Sequence, residues 1–146
     1  MTAEDATKML AVLKAAYPNH YRGMTKDDAI GTINVWATQF SSMSAFVVFI
    51  AVNKHISTVK FPPTPCEIKD IIKRLYYESA ETLTLHRQGV LQLDETKIKT
   101  LNAIREETQQ YRGDKAIEPS LNELLGMYNN KTFLPDNSFK AIENTP

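Results

Sequence analysis

The chain has 146 residues, of which 42% are apolar, and its 17 basic side chains are balanced by 17 acidic ones. This apolar content is ordinary for one globular domain, or for a smaller domain with an appended tail, and it excludes full disorder. The zero net charge argues against a dedicated nucleic-acid binder, because neutralising phosphates usually takes an excess of Lys and Arg. We therefore expect direct DNA binding to be weak or absent.

Three features bear on where the protein works. Cys66, the single cysteine, cannot form a disulfide within the chain. The N-terminus carries acidic side chains and lacks the long apolar segment of a secretory signal. The longest apolar run, 45–52, is too short to span a bilayer, which takes about 20 residues. The sequence thus predicts a reduced, cytoplasmic protein with no membrane partner.

Two amphipathic helices are predicted at the start of the chain. In the first, Thr2 can cap the start, and Pro18 ends the helix because proline disfavours helical geometry in the residue before it. In the second, Thr25 is the expected cap and acidic residues occupy the first turn. Apolar residues recur in both at the three- and four-residue spacing of a helix face, namely Ala6, Met9, Leu10, Leu13, Ala16 and Tyr17, then Ile30, Ile33, Trp36, Ala37 and Phe40.

The third segment, 45–56, is apolar on almost every side and rich in β-branched residues. That pattern alone does not separate a buried helix from a strand. The length of the segment and its position between two helical patterns favour a buried helix, with Ser44 as its cap.

The sharpest local signal is the turn at 61–65, Phe-Pro-Pro-Thr-Pro. Its first two prolines impose an extended backbone. Thr64 is then placed as an N-cap, Pro65 as the first helical residue, and Glu67 as the partner of Thr64 in a capping box. The fourth helix that follows runs to about Arg87, and its apolar face consists of Ile68, Ile71, Ile72, Leu75, Tyr76, Ser79 and Leu83.

Beyond Gly89 the chain becomes more polar. Asp94 can cap a fifth helix, from about 94 to 112, with few apolar residues at helical spacing. We therefore predict an all-α fold in two parts. A compact four-helix domain spans 1–88, and a looser, partly helical or disordered C-terminal extension spans 89–146. The extension comprises the polar helix and a partner-binding tail.

No catalytic or metal-binding constellation is recognisable in the sequence. His20, His55 and His86 are scattered and lack a Cys or carboxylate at metal-ligand spacing. We expect His55 to lie at the edge of the core and Cys66 to be buried as a small apolar residue. The glycines do not form a phosphate-binding loop, which excludes a P-loop ATPase. The prediction is a protein that is not an enzyme, uses no cofactor or metal, and acts by binding another macromolecule.

Two segments are candidate binding surfaces. The first is basic and flanks the proline turn, where it could contact DNA phosphates. The alternative, which we favour for its helical part, is the ordinary solvated face of an amphipathic helix. The residues of this basic surface are Lys54, Lys60, Lys69, Lys73 and Arg74.

The second candidate is the tail, where large apolar side chains interrupt a polar segment. Disordered segments are usually poor in such residues, whereas a short amphipathic helix that enters a partner's groove needs them. The sequence leaves open the alternative that this piece folds back to complete the domain's own core. The candidate partner-binding residues are Leu121, Leu124, Leu125, Tyr128, Phe133, Leu134 and Phe139.

One combination of residues resembles a known family. It consists of the Ala-Ala-Tyr-Pro run at 15–18, Trp36, His55, and the turn at 61–65 with the Glu-Ile pair that follows. This combination, over about residues 5–75, is similar to the loader-and-inhibitor proteins of replicative helicases that bacteriophages of Gram-positive bacteria encode.

The resemblance implies an all-helical N-terminal domain and a mobile C-terminal part that grips the helicase. It also implies an adaptor that holds the hexameric helicase inactive and delivers it to an origin-bound initiator protein. On this basis we predict a helicase loader and inhibitor of phage DNA replication, working in the host bacterial cytoplasm. The alternatives are a DNA-binding replication organiser and a helical interaction module outside replication.

Overall fold

A computed structural model describes residues 1–112, which form five α-helices, one short 3-10 helix and no strand. The helices are α1 (Ala3–Ala16), α2 (Lys26–Gln39), α3 (Ala45–Thr58), α4 (Pro65–Arg87), α5 (Glu95–Glu107) and the 3-10 helix Gln109–Tyr111. The predicted all-α class is confirmed for these residues. None of the described helices is long and apolar enough to cross a membrane.

The chain divides into two compact units, Met1–Ile72 and Lys73–Pro146. The first unit contains α1, α2, α3 and the beginning of α4. The predicted count of four helices in the compact part is therefore not exact, because the 23 residues of α4 begin in one unit and end in the other. The domain boundaries predicted from the sequence, 1–88 and 89–146, stay a prediction.

The first two helices begin with the same arrangement, a capping box. The Thr2 hydroxyl accepts from the backbone N–H of Asp5, and the Asp5 carboxylate accepts from the Thr2 backbone, which makes a reciprocal capping box. Thr25 and Asp28 repeat this arrangement at α2. Both predicted caps are confirmed, and each box satisfies two backbone donors that a helix start otherwise leaves unpaired.

The core of the first unit consists of one face from each of its helices. On α1, five of the six predicted core residues are buried, whereas Ala16 is exposed. On α2, Ile30 is 47% exposed, which corrects its predicted place in the core, since the buried part of the helix lies towards its C-terminal end. The buried apolar residues of the unit include Met9, Leu13, Trp36, Phe40, Val47, Val48, Val52, Ile68 and Ile72.

The ambiguous third segment is a helix, as predicted. Its face at Val47, Val48, Ala51 and Val52 is buried, while Phe46 is 46% exposed. Ser44 is its N-cap residue, although the Ser44 side chain makes no capping hydrogen bond. The helical assignment follows because burial at a spacing of three and four residues suits a helix and not a strand.

The described part of the second unit contains the rest of α4, α5 and the 3-10 helix. Its buried residues include Leu75, Tyr76, Ser79, Leu83, Leu85, Leu91 and Ile104. Asp94 caps α5 by accepting from the backbone N–H of Lys97, as predicted. The predicted α-helix to residue 112 is wrong at its end, because α5 stops at Glu107 and Thr108 leaves helical geometry. The buried Thr108 hydroxyl donates to the Ile104 carbonyl at 2.6 Å.

Candidate interaction surface

Three stacked rings lie on the first unit, contributed by segments that are far apart in sequence. Tyr17 is the C-cap of α1, His20 lies in the loop after it, and Phe61 lies between α3 and α4. The ring centroids of Tyr17 and His20 are 6.4 Å apart with an interplanar angle of 11°. Those of His20 and Phe61 are 5.4 Å apart at 9°. His20 thus stacks with both other rings.

The inner ring of the stack is anchored by its hydroxyl. Tyr17 is buried, and its phenolic O–H donates to the backbone carbonyl of Val59 at 2.9 Å. Burial raises the pKa of the Tyr17 phenol, because a phenolate would lose its hydration there. The phenol therefore remains a neutral donor at neutral pH, and it ties the end of α1 to the segment before the proline turn.

The outer ring is held through its backbone. His55, which is 4% exposed, donates from Nε2–H to the Phe61 carbonyl oxygen at 2.9 Å. The tautomer follows from the partner, since a carbonyl oxygen only accepts. His55 Nδ1 lies 4.0 Å from Oε2 of Glu67. The expectation that His55 lies at the core edge is met, and its bond fixes the backbone of a residue whose own side chain is 65% exposed.

The turn that follows Phe61 has the predicted construction. The Thr64 N–H donates to Oε2 of Glu67 and the Glu67 N–H donates to the Thr64 hydroxyl, both at 3.3 Å. This capping box and Pro65 open α4 as expected. Cys66 is exposed, which corrects its predicted burial, because it lies two positions before Ile68, where the buried face of α4 begins.

We call Tyr17, His20, Val59 and Phe61 the aromatic surface. Val59 adds to it as an exposed aliphatic side chain, at 39%. Large aromatic side chains in fixed positions are typical of the residues that contribute most to protein–protein affinity. The stacking, the two carbonyl contacts and the prolines restrain the backbone and the rings of this surface, so that less freedom remains to be lost on binding.

The sequence segments that supply the aromatic surface carry basic side chains and no acidic ones. The stretches 6–26 and 29–66, which supply all of its residues, contain no Asp or Glu. Such segments favour a positive potential in a chain of zero net charge, which the Glu67 carboxylate, 4.0 Å from His55 Nδ1, partly offsets. The exposed basic residues of these two stretches are Lys8, Lys14, Arg22, Lys26, Lys54 and Lys60.

The five residues of the predicted basic surface are divided between the two units. Lys54 and Lys60 are exposed in the first unit, and Arg74 is exposed in the second. Lys69 donates to Oε1 of Gln39 at 2.7 Å, and its Nζ is 5.8 Å from the Phe40 ring centroid. Lys73 Nζ is 5.8 Å from the Tyr111 ring centroid. Lys69 and Lys73 therefore have contacts within their own units, and the DNA-binding role of the five residues stays a prediction.

The other candidate binding residues lie outside the described residues. These are Leu121, Leu124, Leu125, Tyr128, Phe133, Leu134 and Phe139. Their helicase-binding role also stays a prediction. Within residues 1–112, no three His, Cys, Asp or Glu side chains are grouped in a way that could hold a metal ion.

Sequence reasoning missed the aromatic surface as a unit. Tyr17 appeared as a core residue of the first helix and in the family resemblance, Phe61 as part of the proline turn and of that resemblance, and His20 only as a scattered histidine. A usable signal was present in the turn itself, because a Phe directly before two prolines is fixed in an extended backbone and does not belong to either flanking helix face. Its stacking with His20 joins residues that no sequence spacing relates.

Comparison with known proteins identifies the N-terminal part of the chain. No curated protein and no solved structure matches the chain. Residues 1–69 match a family model for the N-terminal domain of the helicase loader and inhibitor of phage SPP1. The match includes α1, α2, α3, the proline turn and the whole aromatic surface. The resemblance predicted from the sequence is therefore confirmed over residues 1–69, which match the N-terminal domain of the phage helicase loader and inhibitor family.

Proposed function

We propose that this protein is an adaptor of phage DNA replication. It binds the hexameric replicative helicase, holds it inactive, and helps to load it at the origin through an initiator protein. The observation that carries the proposal is the match of residues 1–69 to the loader and inhibitor domain. Such an adaptor acts by binding and not by catalysis, and its place of work is the cytoplasm of the host bacterium.

The two predicted parts of the chain have different tasks in this proposal. The extension over 89–146 grips the helicase through the apolar residues of its tail, from Leu121 to Phe139. The helical domain over 1–88 faces the initiator. A segment that becomes ordered on binding loses conformational entropy, so its complex can be specific and still be released by a competing partner. Release is required of a loader, because the helicase must move on without it.

The contacts of the basic residues favour the adaptor over a DNA-binding organiser. A phosphate-binding surface needs cations that can turn towards the backbone of the nucleic acid. Lys69 is hydrogen-bonded to Gln39, and Lys73 lies against Tyr111. Lys69 and Lys73 would have to leave these contacts to bind DNA.

The first experiment measures complex formation by light scattering after size-exclusion chromatography. The protein is mixed with the phage or host replicative helicase and ATP, either as the full chain or truncated after Gly113. We expect the full chain to form a complex and the truncated chain to form none. Absence of a complex with the full chain would contradict the adaptor, and a DNA titration across salt concentrations would then test the organiser.

A pair of double variants tests which residues of the tail bind the helicase. Leu124→Asp with Leu125→Asp should abolish helicase binding, because two charges would enter an apolar groove. Asn129→Asp with Asn130→Asp adds the same charge nearby and should leave binding within about twofold. Thermal unfolding of both should match the wild type. A loss of several kcal/mol in the leucine variant, as for buried residues, would show that the tail completes the protein's own core.

A further inference from the structure

We propose that the aromatic surface binds a protein segment in which one large apolar side chain is flanked by Asp or Glu residues. The origin initiator of the proposed function carries this segment, so the identity of the partner, though not the chemistry of the surface, rests on that function. The chemistry of the bound segment follows from the exposed ring, the nearby charges and the restrained backbone of the aromatic surface.

The apolar anchor follows from the exposure of the outer ring. Phe61 is 65% exposed, the largest value among the exposed large apolar side chains of the described residues. His20 stacks on it at 5.4 Å, so the Phe61 ring is supported on one side and open to solvent on another. Val59, two residues before Phe61, is also exposed, at 39%. A single aromatic or branched aliphatic side chain of a partner can cover this ring and remove it from water.

The acidic flanks follow from charge complementarity. Arg22, Lys54 and Lys60 lie in the acid-free stretches that form the surface. The first acidic residue after the turn, Glu67, already accepts from the Thr64 N–H in the capping box. A partner with carboxylates on either side of its anchor meets a positive potential, which steers the encounter and excludes basic segments.

A protein segment fits these features better than single-stranded nucleic acid. Strand-binding surfaces line up successive rings along a basic groove. Here the rings stack on each other, and only the outer part of the stack is open to a ligand. The zero net charge of the chain points the same way, because nucleic-acid affinity depends on an excess of cations.

The test compares two exposed phenylalanines of the first unit. Phe61→Ala removes the proposed contact. Phe46→Ala is the matched control, since Phe46 is 46% exposed and lies in the first turn of α3, about 18 Å along the helix from the end that precedes the aromatic surface. The probes are the purified initiator of the same phage, overlapping 15-residue peptides that cover the initiator, the helicase, and a fluorescent oligo(dT) strand.

We expect the full chain and Phe46→Ala to bind the initiator and one or a few acidic peptides with an apolar centre. Phe61→Ala should bind them at least tenfold more weakly, with unchanged thermal unfolding and an unchanged helicase complex. Lys60→Glu should weaken the same peptides severalfold, and a peptide with its acidic residues changed to Lys should regain affinity for Lys60→Glu. The affinity should fall with rising salt concentration.

Several results would overturn the inference. These are equal initiator affinity for Phe61→Ala and wild type, no initiator binding by the wild type, or bound peptides without acidic residues. Loss of the helicase complex in Phe61→Ala would assign the surface to the helicase instead. Oligo(dT) binding that depends on Phe61 would assign it to nucleic acid. The proposed function fails separately, when the full wild-type chain forms no complex with the helicase.

Discussion

In each unit, a histidine near the end of a helix contacts a backbone carbonyl a few residues further along the chain. The side chain of the contacted residue is exposed in the first unit and buried in the second. In the first, His55 Nε2 is 2.9 Å from the carbonyl of Phe61, whose side chain is 65% exposed. In the second, His86 Nδ1 is 3.0 Å from the carbonyl of Leu91, which is 6% exposed. The carbonyl oxygen accepts in both cases, so each histidine fixes a turn.

The residues within each turn account for the difference. In the second unit, Gly89 has a φ of 74°, a conformation that glycine adopts without strain. It lets the chain reverse after α4, and the N–H groups of Val90 and Leu91 reach the Leu85 carbonyl. In the first unit, Pro62 and its neighbour keep the backbone extended, so Phe61 does not turn inwards. A histidine contact thus fixes the backbone in both turns, while the glycine and the prolines give the two turns different backbone conformations.

Burial also differs between the units. Several side chains of the first unit are fully buried, among them Leu13, Phe40 and Ile68. In α5, Ile104 is the buried residue, and the remaining apolar residues of that helix are partly exposed. The free energy of unfolding should therefore depend more strongly on single core residues in the first unit.

The largest expected effect is that of a core truncation in the first unit. Leu13→Ala should lower the free energy of unfolding by about 2–5 kcal/mol, because it leaves a cavity around a side chain with 0% exposure. Urea unfolding followed by the fluorescence of Trp36, the single tryptophan, measures it. Val35→Ala, at a site 52% exposed, is the control and should change stability by less than about 0.5 kcal/mol. Equal losses in the two variants would contradict the assigned core.

A smaller effect is expected from the same change in the second unit. Ile104→Ala should cost about 2 kcal/mol, at the low end for buried isoleucine, since the rest of α5 is mostly solvated. Because Trp36 belongs to the first unit, its fluorescence transition should move less than the transition seen by far-UV circular dichroism. Coincident shifts in both signals would show that the two units unfold together.

Replacing His55 or His86, which hold the two turns, should have the next largest effect on stability. His55→Leu should cost about 1–3 kcal/mol, since it leaves the Phe61 carbonyl without its donor in a part-buried place. His86→Leu should cost less, because His86 is only half-buried and water can replace it. Chemical denaturation measures both. A greater loss for His86→Leu would reverse the comparison between the two turns.

The smallest effect depends on pH and concerns the start of α2. Hydrogen bonds from the Thr25 hydroxyl and backbone N–H lower the pKa of Asp28 below its ordinary 3.8. A lowered folded-state pKa means that the ionised carboxylate stabilises the fold above pH 3.8 and that this contribution disappears as pH falls through the lowered value.

Asp28→Asn should therefore destabilise the protein at pH 7, and the difference from wild type should shrink towards pH 2. Asp27→Asn removes the same charge from the same helical turn and serves as the control, with a smaller effect at pH 7. Urea midpoints at pH 7, 4 and 2 measure both variants. A pH-independent difference for Asp28→Asn would show that the charge of the capping box contributes nothing.

Much of the fold was predictable because its signals are local. The caps at Thr2, Thr25, Thr64 and Asp94 depend on residues three positions away, and all four were predicted correctly. The end of α5 was less predictable. Thr108 turns its hydroxyl to the Ile104 carbonyl inside the protein, and no polar pattern around it indicates that burial.

The candidate surface was predictable only in part. Helical spacing predicted Tyr17 as a core residue, and the family resemblance drew attention to the sequence context of Phe61, but neither indicated that Phe61 is exposed. The stack needs His20, which is 41 positions before Phe61 in a loop of its own. Contacts between loops at such separations depend on how the helices pack, and a single sequence carries no spacing rule for them.

By itself, the sequence determined where the helices begin, which face of each is apolar, and which family's N-terminal domain residues 1–69 resemble. Capping, proline geometry and helical periodicity act within a few residues, so these features do not depend on the rest of the fold. Only the tertiary structure decided that Ile30, Cys66 and Phe61 remain exposed and that His55 is buried beneath the turn. Whether a residue is buried depends on which other residues cover it, and those neighbours are fixed only when the helices pack together.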